Sequence, residues 1–259
     1  MAFETLLLAM DERIATIVVN RPDKRNALNA TVRREIVEAL GALREEREVR
    51  VVVFTGAGDR AFVAGADIAE FAERTVVEQR GVMEARTLFE EVAACPKPTT
   101  AMINGYALGG GCELALACDI RVAARSAKLG QPEVKLGLLP GGGGTQRLPR
   151  LIGTGQALRL LLTGELVDAE EAYRMRLVDV VVEDAELTAR TRELASAIAA
   201  HSPVAVERIK DAVRASLEMP LSAGLAHERE AFLAAFGSDD GREGIRAFLE
   251  KRPAQFQGH

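Results

Sequence analysis

Two apolar runs near the N-terminus, TLLLAM at 5–10 and ATIVVN at 15–20, flank the polar DER, a pattern that predicts two strands joined as a β-hairpin. The polar stretch RPDKRNALN ends in Asn29, a good helix cap. Val32, Ile36, Val37, Leu40 and Leu43 then recur near helical spacing, predicting a helix to about Arg47. VRVVVFTG at 49–56 reads as a buried strand. The strand, strand, helix order returns more loosely, with TTAMING and DIRVAAR as strands and GGCELALAC and GTQRLPRLIG as helices. A further helix over about 76–94 is ended by Pro96-Lys97-Pro98, because proline lacks a donor and disfavours helical geometry before itself. After LVDVVV at 177–182 the pattern changes to successive helices, broken near Ser202-Pro203, Pro220 and Gly237. These elements predict an α/β core, with a helical C-terminal region beginning near 190–200.

With 259 residues, 48% of them hydrophobic, the chain can build one large core. Its net charge of −5 offers no general attraction to nucleic acid or anionic membranes, and no basic stripe with interleaved aromatics is visible, so no nucleic-acid partner is expected. No run reaches the ~18 apolar residues of a spanning helix. Met1–Arg13 lacks the basic start and small-residue cleavage site of a signal peptide, so a cytoplasmic protein without a membrane partner is expected. Cys95, Cys112 and Cys118 are odd in number and form no C-x-x-C pair, which predicts neither a disulfide framework nor a thiolate zinc site. Cys112 has no evident base partner, and His201 in AHSPVA, His227 in AHERE and the terminal His259 lie in no plausible catalytic or metal-ligand cluster. Neither nucleophilic cysteine chemistry nor a metal site is expected.

Candidate chemistry gathers at two glycine-rich helix starts. Gly109, Gly110 and Gly111 precede the apolar helix that carries Glu113 in its first turn. The free amides of such a start can receive an anion or a developing oxyanion. The apolar neighbours of Glu113 predict a poorly solvated carboxyl tuned for proton transfer. A second run, Gly141–Gly144, follows Glu133 and opens another helix. It carries no G-x-x-x-x-G-K-[ST], and Arg147 stands where a dinucleotide fingerprint needs Gly or Ala. Glu113 and Glu133 can therefore divide the roles of base and acid at one site. Paired carboxylates also hydrolyse glycosides, but a chain with no Trp and 4% aromatics has little stacking surface for a sugar.

The ordered set NRPDKRNALN, AFVAGADIAEF, INGYALGGGCELALACDI, LGQPEVKLGLLPGGGGTQRLPRLIG, LTGELVDAEEA, RLVDVVV and REGIRAFLEKRPAQF resembles the enoyl-CoA hydratase, or crotonase, family from about residue 3 to residue 257. The resemblance implies an α/β, crotonase-like spiral of ββα units over 1–195 and a C-terminal helical trimerisation region over 196–259. It further implies an acyl-CoA substrate and reversible addition of water to a trans-2-enoyl-CoA, giving the (3S)-3-hydroxyacyl-CoA, as in fatty-acid β-oxidation, with no cofactor. Matched residue by residue, it implies Glu113 and Glu133 as the catalytic acids. The backbone amides of Ala66 and Gly110 become the oxyanion hole, where a side chain at 109–111 would obstruct the thioester, and Gly141 orients water.

The same resemblance places CoA against Lys24, Arg25, Ala27 and Leu28, and against Ala64, Asp67 and Ile68; capping preference alone makes Asp67 a helix cap. Phe248 and Lys251 match positions that approach the CoA nucleotide, in some members from a neighbouring subunit. Ala69 departs from the pattern, since some hydratases carry a lysine there. The family also contains isomerases, which often replace one of the two glutamates, and RNA-binding members. Self-association as a trimer or dimer of trimers is implied, with Leu221, Leu225, Phe232, Leu233 and Phe236 as candidate contacts.

Overall fold

The structure is a computed structural model and describes residues 3–72, 74–84 and 87–259. The predicted hairpin forms from β1 (Leu6–Asp11) and β2 (Ile14–Val19), paired antiparallel from Leu6↔Val19 to Asp11↔Ile14, with Glu12 at φ 53° in the tight turn. Asn29 caps α1 (Ala30–Glu45) by accepting from the Val32 amide, and the helix stops slightly short of Arg47. The chain then enters β3 (Val51–Gly56), whose residues are all buried, as expected of a strand covered on both faces.

From here the path alternates between two sheets. After β3 come β4 (Ala61–Val63), α2 (Ala69–Ala72), α3 (Val76–Glu84) and α4 (Leu88–Ala93). The next unit is β5 (Thr99–Ile103), β6 (Tyr106–Leu108) and α5 (Gly110–Ala117), followed by β7 (Ile120–Ala124), β8 (Lys128–Gly130), α6 (Gly144–Ile152) and α7 (Thr154–Thr163). β9 (Leu166–Asp168), α8 (Ala169–Arg174) and β10 (Val180–Val182) complete the sheets. One sheet has the order β1-β2-β3-β5-β7-β10 and the other β4-β6-β8-β9, so from β3 onward each successive pair of strands places one member in each sheet. This is the repeated ββα course that the resemblance implies.

Buried Val32, Ile36 and Leu40 of α1 share the main core with Phe54, Leu114 and Leu129. The opposite face of the larger sheet packs Ile14, Val51 and Val53 against Ala195 and Ala199 of α9 (Leu187–Ala199). The helical run continues as α10 (Pro203–Ala215), α11 (Leu221–Gly237) and α12 (Asp239–Glu250), with Ser202 and Ser238 capping α10 and α12. Among the described residues no helix is long and apolar enough to cross a membrane.

One expectation needs correction, and four strands were not predicted. The single helix over 76–94 is interrupted, with residues 85–86 outside the described residues. Thr87 is extended there and begins α4 with a reciprocal cap, its hydroxyl accepting from Glu90 N–H and the Glu90 carboxylate accepting from Thr87 N–H. The strands β4, β6, β8 and β9 are three residues each, too short for an alternating pattern to register in sequence.

Every residue of α5 is buried, and the helix lies against β4 so closely that a Cβ at Gly111 would stand 1.9 Å from the Val63 carbonyl oxygen. Gly41 in α1 is exposed, with nothing within 4 Å of its hypothetical Cβ. Gly111→Ala is therefore expected to destabilise by about 1–3 kcal/mol or more through overpacking. Gly41→Ala should stabilise by about 0.4–1 kcal/mol. Urea denaturation midpoints of the two variants check this opposite pair of signs.

Candidate active site

The AGAD loop and the first glycine run meet through backbone geometry. Leu28 and Ala66 form a parallel bridge in which Leu28 N–H donates to Gly65 O at 2.9 Å and Asp67 N–H donates to Leu28 O at 3.0 Å. In such a bridge the N–H of the central residue points away from its partner strand, so the Ala66 amide faces the start of α5. A Cβ at Gly110 would lie 3.5 Å from Ala66 N and 3.4 Å from Leu28 Cδ1, so the start of α5 sits beside the Ala66 amide. Gly110 is the first residue of α5, where an N–H has no intrahelical acceptor. Its neighbours are glycine for other reasons. Gly109 has φ 50° and a Cβ there would lie 2.9 Å from Glu133 Oε1, whereas Gly111 is required by the packing on β4. Packing thus accounts for Gly111, and the Glu133 carboxyl and the positive φ for Gly109.

Glu113 is 3% exposed, and its Oε1 accepts from the amides of Gly142 at 2.6 Å and Gly144 at 2.9 Å. Burial pushes its carboxyl above the usual range, while these two amides and the Arg147 charge pull it back down. Glu133 lies in the short 3-10 turn Pro132–Leu136, half-buried. Burial raises its carboxyl to about 7, opposed by a backbone hydrogen bond and reinforced by the charge on Glu113. With its amide nitrogen turned toward the carboxylate, buried Gln131 donates to both Glu133 oxygens, at 3.0 and 3.2 Å. The glycine run after Pro140 is packed tightly. A Cβ at Gly142 would lie 2.2 Å from the Phe89 ring and 2.8 Å from Glu113 Oε2, while Gly141 is exposed beside the Met83 methyl.

The loops matched to CoA are tied together. Ala64 N–H donates to Arg25 O, and Arg21 spans both loops, with Nη1 donating to Ala27 O at 2.6 Å and Nη2 to Asp67 Oδ2 at 3.1 Å. The capping role expected of Asp67 is corrected, because its carboxylate is committed to the Arg21 ion pair. Lys24, Arg25 and Ile68 are exposed and Leu28 is buried. Phe248, 83% exposed on α12, and Lys251 at that helix's left-handed C-cap do not converge with the glutamates, since α12 packs chiefly on α11. Sequence reasoning missed Arg21, Gln131, Phe89 and Met83, and treated Arg147 only as a misfit in a nucleotide fingerprint. A polar Gln directly before Pro132-Glu133 was the one available signal. Surface cavities of 480 Å³ by the C-terminal tail and 630 Å³ between α6 and α8 lie apart from the glutamates.

The raised Glu133 carboxyl also predicts a pH-dependent stability. The folded state holds this proton up to about pH 7, whereas an unperturbed Glu gives it up near 4.5. Between those values the folded form binds more protons, so its stability falls as pH rises through the window. Glu133→Gln mimics the protonated form. Its Tm relative to wild type is expected to be highest above the window and to converge on wild type below it, as checked by thermal melts across that range.

Comparisons with known proteins align with this geometry. A family model described as enoyl-CoA hydratase/isomerase matches residues 9–259. The chain is 43% identical over 258 residues, 99% of each chain, to crotonyl-CoA hydratase of Syntrophomonas wolfei. It is 42% identical over 254 residues, 97% of each chain, to short-chain-enoyl-CoA hydratase of Clostridium acetobutylicum. Among solved structures it superposes on enoyl-CoA hydratase from Bacillus anthracis with a TM-score of 0.95 and 40% identity, covering 99% of this chain and 100% of that one.

Proposed function

We propose roles for these groups from one premise: the chain belongs to the enoyl-CoA hydratase/isomerase family and is an enoyl-CoA hydratase with the crotonase fold. The thioester oxygen sits between the Ala66 and Gly110 amides, where charge developing on that oxygen is stabilised by donors already in place and by the α5 dipole. Ionised Glu113 removes a proton from water as the water oxygen bonds to C3. Protonated Glu133 delivers a proton to C2, and the Gly141 amide orients the water. Both electrons of the C2–C3 π bond are thereby accounted for, one proton leaves and one arrives, and the chemistry calls on no metal or redox cofactor. The observation that carries this reading is the pair of carboxyls beside one helix start, one buried and gripped by two amides, the other half-buried and raised to about 7.

Short-chain 2-enoyl-CoA thioesters are the proposed substrates, supported by the names of the two relatives and by the Phe89 ring lying against Gly142. Lys24, Arg25, Ala27, Leu28, Ala64, Asp67 and Ile68 are the proposed CoA contacts within the subunit. The unpaired, buried thiols Cys95, Cys112 and Cys118 fit a reducing compartment, and the cytoplasm is proposed.

Hydration of crotonyl-CoA by wild type, Glu113→Gln and Glu133→Gln tests the roles, read as loss of enone absorbance together with α-proton exchange in deuterated water. Each variant is expected to lose about 10²–10⁴-fold. The two losses should combine non-additively, because both groups serve one event. Near-wild-type hydration by either folded variant rejects the two-glutamate mechanism. Isomerisation of a 3-enoyl-CoA without hydration by wild type turns the assignment toward isomerase.

Self-association as a trimer or dimer of trimers is also proposed, through the helices beyond residue 196. α11 exposes Leu221, Leu225, Phe232, Leu233 and Phe236, with Phe232 and Phe236 stacked at 5.9 Å between ring centroids. An apolar surface of this kind marks an interface. Phe248 and Lys251 would then serve the CoA of a neighbouring subunit. Light scattering should report a trimer or hexamer, and a fully active monomer removes that cross-subunit role.

A further inference from the structure

Arg147, in the first turn of α6, reaches out of its own helix to two carbonyls. Its Nη1 donates to Gly142 O at 2.8 Å and its Nη2 donates to Phe89 O, on α4, at 3.4 Å. Gly142 O belongs to the peptide that joins Gly142 to Gly143, and the amides flanking that unit, those of Gly142 and Gly144, are the pair that hold Glu113 Oε1. Directing this carbonyl outward to the guanidinium fixes the turn in the rotation that sends both amides inward. Gly143 has φ 105°, and a Cβ there would lie 2.2 Å from Arg147 Nη1, so the turn rests directly on the guanidinium. One side chain thus ties α4 to the turn that holds Glu113.

We propose that Arg147 is a positioning residue for hydration: it locks the Gly142–Gly144 turn around Glu113 and supplies the counter-charge to that buried carboxylate. This rests on Glu113 being the group that activates water. Glu113 is faced by Arg147 from α6 and by Glu133 from the Pro132–Leu136 turn, while Cys112 beside it is a neutral thiol, pushed up to about 12 by burial. Arg147 in turn is faced by Glu113, by Glu90 of α4 and by Arg214 of α10. Without the guanidinium, the turn that presents the Gly142 and Gly144 amides loses its brace and Glu113 loses its counter-charge. Its ionisation should then move to higher pH.

The test measures kcat and KM for crotonyl-CoA across the pH range in which the protein keeps its native circular dichroism and oligomeric state. Arg147→Gln is expected to move the acid limb of kcat/KM upward by about one unit, the low end of what a nearby opposite charge contributes. Activity on that limb falls about tenfold, the change in ionised fraction that one unit represents. KM on the plateau should stay at the wild-type value. Arg147→Lys keeps the charge, but its single ammonium cannot reproduce the planar fork. Its acid limb should stay in place while its plateau kcat falls. A native Arg147→Gln enzyme with an unmoved limb, or a Lys variant whose limb moves like that of Gln, overturns the proposal. If Arg147→Gln fails to fold, the Lys variant decides, and an unchanged plateau kcat overturns the lock. Glu113→Gln is run in parallel. Hydration retained by that variant rejects the underlying reading, whereas its loss alongside unaffected Arg147 variants rejects only the role of Arg147.

Discussion

Glu113 Oε1 accepts two backbone hydrogen bonds, from Gly142 and Gly144, in a place from which α4, α5 and α6 exclude most water. A carboxylate moved out of water loses several kcal/mol of hydration, and each hydrogen bond to a charged group returns roughly 1.5–3 kcal/mol. The balance leaves the carboxyl raised. Those amides are available only if the second glycine run bends tightly against the Phe89 ring. The carboxyl reaches them only if α5 is buried on every side. The core and the chemistry therefore impose one packing requirement on the same residues.

The alternation between two sheets explains how that requirement is met. Each crossing from the larger sheet to the smaller one ends in a loop at the same edge, where β4 leads into the AGAD loop, β6 into the first glycine run and β8 into the turn that carries Glu133. The parallel pairing of β4 with β6 and of β6 with β8 holds these exits side by side. Short strands suffice because their ends carry the site. The Leu28–Ala66 bridge extends the same logic, using one pairing to aim an amide that no side chain could orient, and Arg21 secures both of its sides.

The helices after α9 follow different physics. α9 buries Ala195 and Ala199 against the larger sheet, whereas α10 has no buried residue and α11 buries only Ala231. Asp240 and Arg50 fasten the chain end, Asp240 accepting from Ser202 and the Gly258 amide, and Arg50 donating to Phe256 O. α11 meanwhile leaves Phe232 and Phe236 exposed, the surface on which the proposed self-association rests.

Much of this was legible from residue order. The hairpin, α1 with its Asn29 cap, the buried β3 and the breaks between the last helices follow from local preferences and from apolar spacing, which act within a few residues of chain. Glu113 and Glu133 were legible because a carboxyl beside a glycine-rich helix start is unusual in itself. The three-residue strands were not, because their stability comes from partners distant in sequence. Nor was the division of labour among the glycines, in which Gly109 makes way for Glu133, Gly111 yields to Val63 and Gly142 to Phe89. Sequence alone determined which groups could donate, accept or ionise. Only the tertiary structure decided that Asp67 pairs with Arg21, that Gln131 meets Glu133 and that Arg147 braces the turn around Glu113. The physical reason is that desolvation and hydrogen-bond direction depend on neighbours brought together by folding.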